Sequence, residues 1–488
     1  MLHGLATSFK TCVDQLHSFA TPQQRHSFTE ESTALTLVSY QDTEALGGLT
    51  TNPDASLPSS LTEGFQLKRE LQVIRNSAID ASLWKPAETI ITESSLATTV
   101  QGRESLLKLA TYSERGGRAV GRIASPPGIV VSITYHSVYP PSFCSFIHNL
   151  WLIAVALNAL DAAQRVLVEW TTVRPNWERE HVQLYRSRIT KLVQELNIAS
   201  KPTTLRMLRA IALVEDFRDE RNRRFGIVFS IPPRMSPLRQ PIALQKILPV
   251  DSNSSSPFGE PLLSHRFALA HSLAVAVHEL HRSGWLHKEL RSSNIVFFFG
   301  GQSSSFSAAA TAALPDLSNP YITGFGLARP DEESAGSLPA TSLAICSTED
   351  LFRHPSLRLA QQGKPGKNRQ EGEKGEEAAL PRFQRRFDIY SLGLILLEIG
   401  LWERISSLGR PADKVVPLKF TAQLATLCSA HVGHRMGATY RDVVLRCIQG
   451  ADTDAADGDE GDDGGEEMMA FYFGVVKELE KCQCGRRV

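Results

Sequence analysis

Neither sign of charge is in excess in this 488-residue chain: Lys+Arg and Asp+Glu each number 52, and the formal net charge is zero. Bulk attraction to a nucleic acid or to an acidic membrane surface is therefore not expected. Cysteine is sparse and odd in number, seven in all, at Cys12, Cys144, Cys346, Cys428, Cys447, Cys482 and Cys484. That scatter does not build a disulfide scaffold and suits reduced thiols in a cytosolic or nuclear protein, of which a cytoplasmic one is the expectation here. Cys482 and Cys484 form the one close pair, with no two further ligands nearby to complete a metal site. The first twenty residues mix His, Lys and Asp with apolar side chains and lack the basic start and apolar run of a secretion signal.

Charge is missing altogether from one stretch. Between Ile123 and Leu160 the only potentially charged side chains are His136 and His148, and Phe143 to Leu160 is nearly long enough to span a bilayer. His148, Asn149 and Asn158 interrupt it and no basic cluster follows at once, so a buried helix is expected there and a membrane span is not. Glycine is also absent from residues 140 to 165, while Gly116, Gly117 and Gly121 lie well upstream and read as turn residues.

What is present supports a sizeable core: 42% of the residues are hydrophobic, and the length suits two or three domains. Residues 1–120 are polar and rich in Ser and Thr, with a loop over Gly47 to Ser60 and helix-compatible spacing over 64–80 and 101–113. From Arg165 the pattern sharpens. Arg165 to Trp170 is β-branched and apolar and predicts a strand; Trp177 to Asn197 carries Val182, Tyr185, Ile189, Leu192, Val193 and Leu196 at helical spacing. Leu205 to Val214 and Phe225 to Ile231 predict two strands across a charged turn. Leu262 to Ser283 predicts a long helix, Ile295 to Phe299 a strand, and Asp388 to Trp402, apolar almost all round, a helix buried within its domain. Gly300 to Thr311, Gln361 to Glu377 and the acidic tract Asp452 to Glu467 have the composition of inserted surface loops.

Two runs carry chemistry. His287-Lys288-Glu289-Leu290-Arg291-Ser292-Ser293-Asn294 resembles the catalytic loop of protein kinases, H-R-D-L-K-x-x-N, with Glu289 in place of the catalytic Asp. Ile322-Thr323-Gly324-Phe325-Gly326-Leu327-Ala328-Arg329 resembles I-x-D-F-G-L-A-R, with Gly324 in place of the metal-binding Asp. Further runs keep the same order: Val166 to Trp170, Arg224 to Phe229 with its two prolines, Leu280 to His287, Phe352 to Pro355, Phe387 to Trp402, Tyr440 to Cys447 and Phe471 to Cys482. Together they resemble a group of fungal protein-kinase-like proteins of unknown function, whose members often follow helical domains linked to heterokaryon incompatibility and prion propagation.

The resemblance implies an α+β, bilobal kinase-like fold: a small β-rich lobe over 161–235, a large helical lobe over 236–488 with inserted loops at 300–316, 361–378 and 451–467, and a preceding region 1–160 that is partly helical or disordered. It also implies a damaged site. Phosphoryl transfer needs positioned phosphates, magnesium and a carboxylate that orients the attacking hydroxyl. Glu169 stands where the phosphate-binding strand lysine belongs; the alternative is a register one or two residues off, with Glu169 pointing to the surface. Glu289 keeps a carboxylate on a stem one methylene too long, a displacement of about an ångström that can cost on the order of a hundredfold in rate. Asn294 retains an amide able to hold magnesium, Arg291 retains reach to a phosphate, and His287 packs beneath the site. Gly324 removes the main metal ligand while Phe325 and Gly326 keep the turn. Ser356 replaces the Glu of A-P-E, and Asp388 keeps the place of the residue that caps the catalytic-loop backbone.

The expected function is that of a pseudokinase, a signalling or interaction scaffold with a protein partner, no nucleic acid and no resident cofactor. A weak kinase using ATP and magnesium, or a cell-death signalling factor acting through the N-terminal region, are the alternatives.

Overall fold

The computed structural model describes residues 70–71, 73–74, 78–86, 91–92, 131–133 and 151–157, then 163–483 apart from 174–176, 199–200, 202, 218–222, 234, 236–240, 251–253, 301–314, 332–349, 363–382, 409–416 and 451–463. The helical spacing at 101–113, the loop at 47–60, and nearly all of the three inserted loops lie outside these residues. The architecture is α+β, and the chain divides into two units, 78–456 with 474–488, and 1–77 with 457–473. The described part of the second unit includes helix Gly464–Phe471, with Met468 and Phe471 buried.

The first unit is built on a seven-stranded mixed sheet. Its strands are β1 (Trp84–Pro86), β2 (Ile91–Thr92), β3 (Val131–Ile133), β4 (Trp151–Leu157), β5 (Ala163–Thr172), β6 (Ala210–Asp216) and β7 (Arg224–Ser230), in the spatial order β1-β6-β7-β5-β4-β3-β2. β5 is central, antiparallel to β4 on one side and to β7 on the other. Its run Val166, Leu167, Val168 is therefore fully buried on both faces, which explains an apolar sequence without alternation. Val166, Val168 and Trp170 pack with Ala212, Val214 and Val228, each large side chain stabilising by roughly 1.5–3 kcal/mol. Arg224 closes the β6–β7 pair by donating to Asp216 Oδ2 at 3.0 and 3.1 Å while its guanidinium covers the Trp170 ring at 4.2 Å.

Two findings differ from the sequence expectation. The apolar stretch 143–160 contains strand β4, not a buried helix. A strand buried between neighbours and a buried helix segment show the same unbroken apolar run, so periodicity could not separate them. The sheet also reaches upstream of residue 161, through β4 and as far as β1, which runs parallel to β6. No described helix is long and apolar enough to cross a membrane.

Helix α1 (Arg179–Leu196) follows β5 and packs against β6 with the stripe Tyr185, Ile189, Leu192, Val193 and Leu196. Its first turn is closed by the Glu178 N–H donating to His181 Nδ1 at 3.2 Å. Trp84 of β1 is pinned to it, donating from Nε1 to Thr190 Oγ1 at 3.2 Å beneath the Arg186 guanidinium at 4.4 Å.

The remaining helices surround one of their number. α2 (Leu263–Arg282), α3 (Pro355–Gln362), α4 (Arg385–Leu401), α5 (Pro417–Leu427), α6 (Ala438–Gln449) and α7 (Lys477–Gln483) include α4 at the centre, packed against α2 and α6. From Tyr390 to Leu401 every α4 residue is buried, as expected for a helix without a polar face. Its last carbonyls are satisfied by Arg266, which donates to Ile399 O at 3.4 Å and Gly400 O at 3.3 Å.

Five short strands fix the loops of interest. β9 (Trp285–Leu286) pairs with β12 (Arg329–Pro330), and β10 (Ile295–Phe297) pairs with β11 (Tyr321–Ile322) and with β8 (Ile242–Ala243). Residues 287–294 run from β9 to β10 and residues 323–328 from β11 to β12, so these ladders hold the two motif loops side by side.

Candidate functional site

Asp388, in the first turn of α4, organises the loop 287–294. Its Oδ2 accepts the His287 N–H at 2.7 Å and its Oδ1 the Lys288 N–H at 2.9 Å, while His281 Nε2 lies 3.3 Å from Oδ2. Asp388 has no exposed surface, so both backbone donors depend on it. The backbone capping expected of Asp388 is thus present in the geometry.

His287 ties the two loops together. Its Nδ1 accepts the Glu289 N–H at 3.2 Å, so Nε2 carries the ring proton and donates to Thr323 O at 3.0 Å. Burial pushes its pKa down to about 4 despite Asp388, so the ring is neutral. It lies against the Phe325 ring at 5.0 Å, and Phe325 in turn reaches Phe229 of β7 at 6.4 Å. Asn294 is buried and turned inward: its Nδ2 donates to Glu289 O at 2.7 Å, and its own carbonyl accepts the Thr323 N–H at 2.9 Å. Arg291 is buried as well, at 7% exposure.

Gly324 adopts φ +91°, ψ +40°, a left-handed conformation that costs glycine nothing. It opens a short 3₁₀ turn, Phe325–Leu327, with the amides of Gly324, Phe325 and Gly326 at its start. Into them points Glu169 of β5. Its Oε2 accepts the Gly324 N–H at 2.8 Å, and the Phe325 and Gly326 amides lie close enough to favour its charge. At 1% exposure Glu169 is not a surface residue, so the surface-pointing alternative is excluded. Gly326 is required by proximity to the same strand: a Cβ there would lie 2.5 Å from Thr171 Oγ1.

Burial raises the Glu169 pKa to about 7; the three amides oppose the rise and the neighbouring Glu289 carboxylate adds to it. Its Oε1 is buried without a hydrogen-bond partner, which fits a carboxyl group that holds a proton near neutrality. The structure therefore brings Glu169, Glu289, Gly324, Phe325, Gly326, His287 and Asn294 into one neighbourhood, with Glu169 bonded to a turn that has no side-chain metal ligand at Gly324.

Three residues escaped the sequence. Lys288 has φ +71°, rare for a residue with a side chain, and lines a cleft with Glu289, Arg291, Arg353, His354 and Phe383. Arg188 is a buried cation of α1, visible only as a charge beside the apolar stripe. Glu398 of α4 is a further buried carboxyl group, pushed up to about 7 by burial, whose Oε1 accepts the Ile405 N–H at 2.7 Å. Nothing in their spacing marked the last two, because an isolated ionisable residue on an apolar helix face has no motif.

No protein-family model matches this chain, and no curated protein is significantly similar to it.

Proposed function

We propose that this chain is a catalytically degraded protein-kinase-like domain, a pseudokinase that acts as a cytoplasmic signalling or interaction scaffold for a protein partner. The finer fold proposed is bilobal. The strand β5, helix α1 and the β6–β7 pair follow the order of a kinase small lobe, and the helices around α4 supply the large one. The small lobe then takes in β3 and β4, which precede residue 161.

One observation carries the proposal: the Glu169 carboxylate accepts the Gly324 N–H at 2.8 Å. In the kinase frame this point needs a cation to neutralise phosphate and a carboxylate to hold magnesium. Here a carboxyl group occupies the strand position, and glycine occupies the metal position. A phosphate entering would have to displace a buried carboxylate from the amides it already uses.

The other parts support the same conclusion. The sequence 134–150 between β3 and β4 contains no glycine, the residue type that a phosphate-cradling loop uses for close backbone approach. The residues present do not fit magnesium–ATP.

The test uses the full chain, because β1 and β4 belong to the sheet. ATP with magnesium should raise Tm no further than ATP alone, and no γ-phosphate should be incorporated. Magnesium-dependent incorporation that is lost in Asn294→Ala would overturn the proposal.

A further inference from the structure

The outer rim of β6 is taken by a short, remote piece of the same chain. β1 runs parallel to it, with Trp84 opposite Leu213, Lys85 opposite Val214 and Pro86 opposite Glu215. A parallel ladder of three residues holds little by itself. Side chains fasten the segment instead. Trp84 donates from Nε1 to Thr190 Oγ1 at 3.2 Å, 106 positions further along the chain. Its ring meets Phe225 of β7 edge to face, with centroids 5.8 Å apart, and the Arg186 guanidinium covers it at 4.4 Å. The 3₁₀ turn Ala81–Leu83 touches β6 and buries Leu83, and Gln194 Nε2 donates to Ala78 O at 3.3 Å.

The receiving surface is set by groups outside the segment. The buried Thr190 hydroxyl gives its proton to Arg186 O at 2.6 Å, so its oxygen meets the indole N–H as an acceptor. Glu215 of β6 draws the Arg186 guanidinium across from α1, with Oε2 at 3.7 Å from Nη2. Phe225 is fixed in the sheet opposite Glu215 and Thr171. Acceptor, cation and aromatic wall thus belong to α1, β6 and β7. A strand laid on a sheet rim, one indole anchor and a backbone carbonyl held by a side chain are the features by which proteins capture extended peptides. β6 is seven residues long and β1 pairs with three of them, so a longer segment has more rim to use.

We propose that the groove between α1 and the rim of β6 is a docking site for an extended partner segment bearing a tryptophan directly after an aliphatic residue, and that residues 78–86 are its tethered, replaceable occupant. Leu83 and Trp84 supply that pair of anchors in the present structure, while Ala81, Ser82 and Lys85 are exposed and add little to the hold. A partner strand that pairs with more of β6 displaces the shorter one. The inference names the surface that a protein partner would use and so rests on the scaffold reading, but not on the phosphate chemistry; a failure here leaves the test with ATP and magnesium untouched.

The experiment removes the anchor in the full chain, Trp84→Ala, and supplies it in trans as a synthetic peptide of residues 78–88. Expected is a saturable rise in the Tm of the variant, of roughly 2–4 °C at a peptide concentration tenfold above Kd. The wild type should need at least about tenfold more peptide for the same rise, because its own segment competes at a high effective concentration. The rise should vanish with a peptide carrying Trp84→Ala and shrink when Arg186→Ala is added to the variant chain. If Trp84→Ala alone abolishes the cooperative urea transition, the peptide should restore it. Neither a rise nor a restoration with the tryptophan peptide would overturn the proposal. So would an equal effect from the peptide that lacks tryptophan.

Discussion

Replacing Glu169 by Gln isolates the most unusual charge in the site. The glutamine keeps a carbonyl oxygen for the Gly324 N–H, fills the same space and cannot ionise. Burial holds the Glu169 pKa at about 7, against 4.5 for the ordinary side chain. Between those values the folded state keeps a proton that the unfolded chain has released, so stability from this group is fully present below pH 4.5 and is lost as pH rises through about 7. At 1.36 kcal/mol per unit, the wild type should lose about 3 kcal/mol relative to Glu169→Gln across that interval. Urea unfolding of both proteins at half-unit steps from pH 4.5 to 8.5 measures the difference. Other titrating groups cancel in it, including His287, whose lowered pKa acts with the opposite sign, and Glu398. The two proteins should be close in stability at pH 4.5, with the variant ahead at pH 8.5. A difference that stays flat over the range would refute the assignment of Glu169 as a buried carboxyl group. A difference that grows toward low pH would mean that the amides at Gly324, Phe325 and Gly326 outweigh burial.

Two further perturbations test the scaffold around the site. Asp388→Ala removes the acceptor of two backbone N–H groups, at 2.7 and 2.9 Å, in a position with no solvent access, and should cost roughly 3 kcal/mol in urea unfolding, with Asp388→Asn recovering about half; an unchanged midpoint would show that the loop does not depend on it. Gly326→Ala places a Cβ 2.5 Å from Thr171 Oγ1 and should destabilise by about 1–3 kcal/mol, with partial recovery in the double variant with Thr171→Ala; equal losses in single and double variants would mean that the clash is not with β5.

Much of the architecture could be read in advance where one signal was strong. Val166 to Val168 and Phe225 to Phe229 are β-branched or aromatic runs of strand length, and Leu392 to Leu401 is an apolar run of helix length; each forms the expected element. Trp151 to Leu157 did not announce itself, because Leu and Ala favour helix and a short unbroken apolar run fits a strand and a helix segment alike. Between Leu205 and Ala210 the expected strand is a 3₁₀ turn and an isolated bridge at Met207, and the ladder begins only at Ala210. Of the site, the two loops were legible from their spacing, but the direction of Glu169 was not. A shift of one residue reverses every side chain on a strand, and only the partner register, Glu169 opposite Ile227 and Trp151, decides it. The left-handed backbone of Lys288 was invisible for a related reason: it is imposed by Asp388, a hundred positions away in the chain.

The parallel pairing of Trp84–Pro86 with Leu213–Glu215 has a practical consequence. Those three residues cover the outer rim of β6, and β4 covers the outer rim of β5. A fragment begun at residue 161 would leave both rims bare, each presenting a row of unsatisfied amides and carbonyls to the next molecule. Such a fragment should stack copy upon copy through its two open sides, and its insolubility would say nothing about the protein from which it was cut.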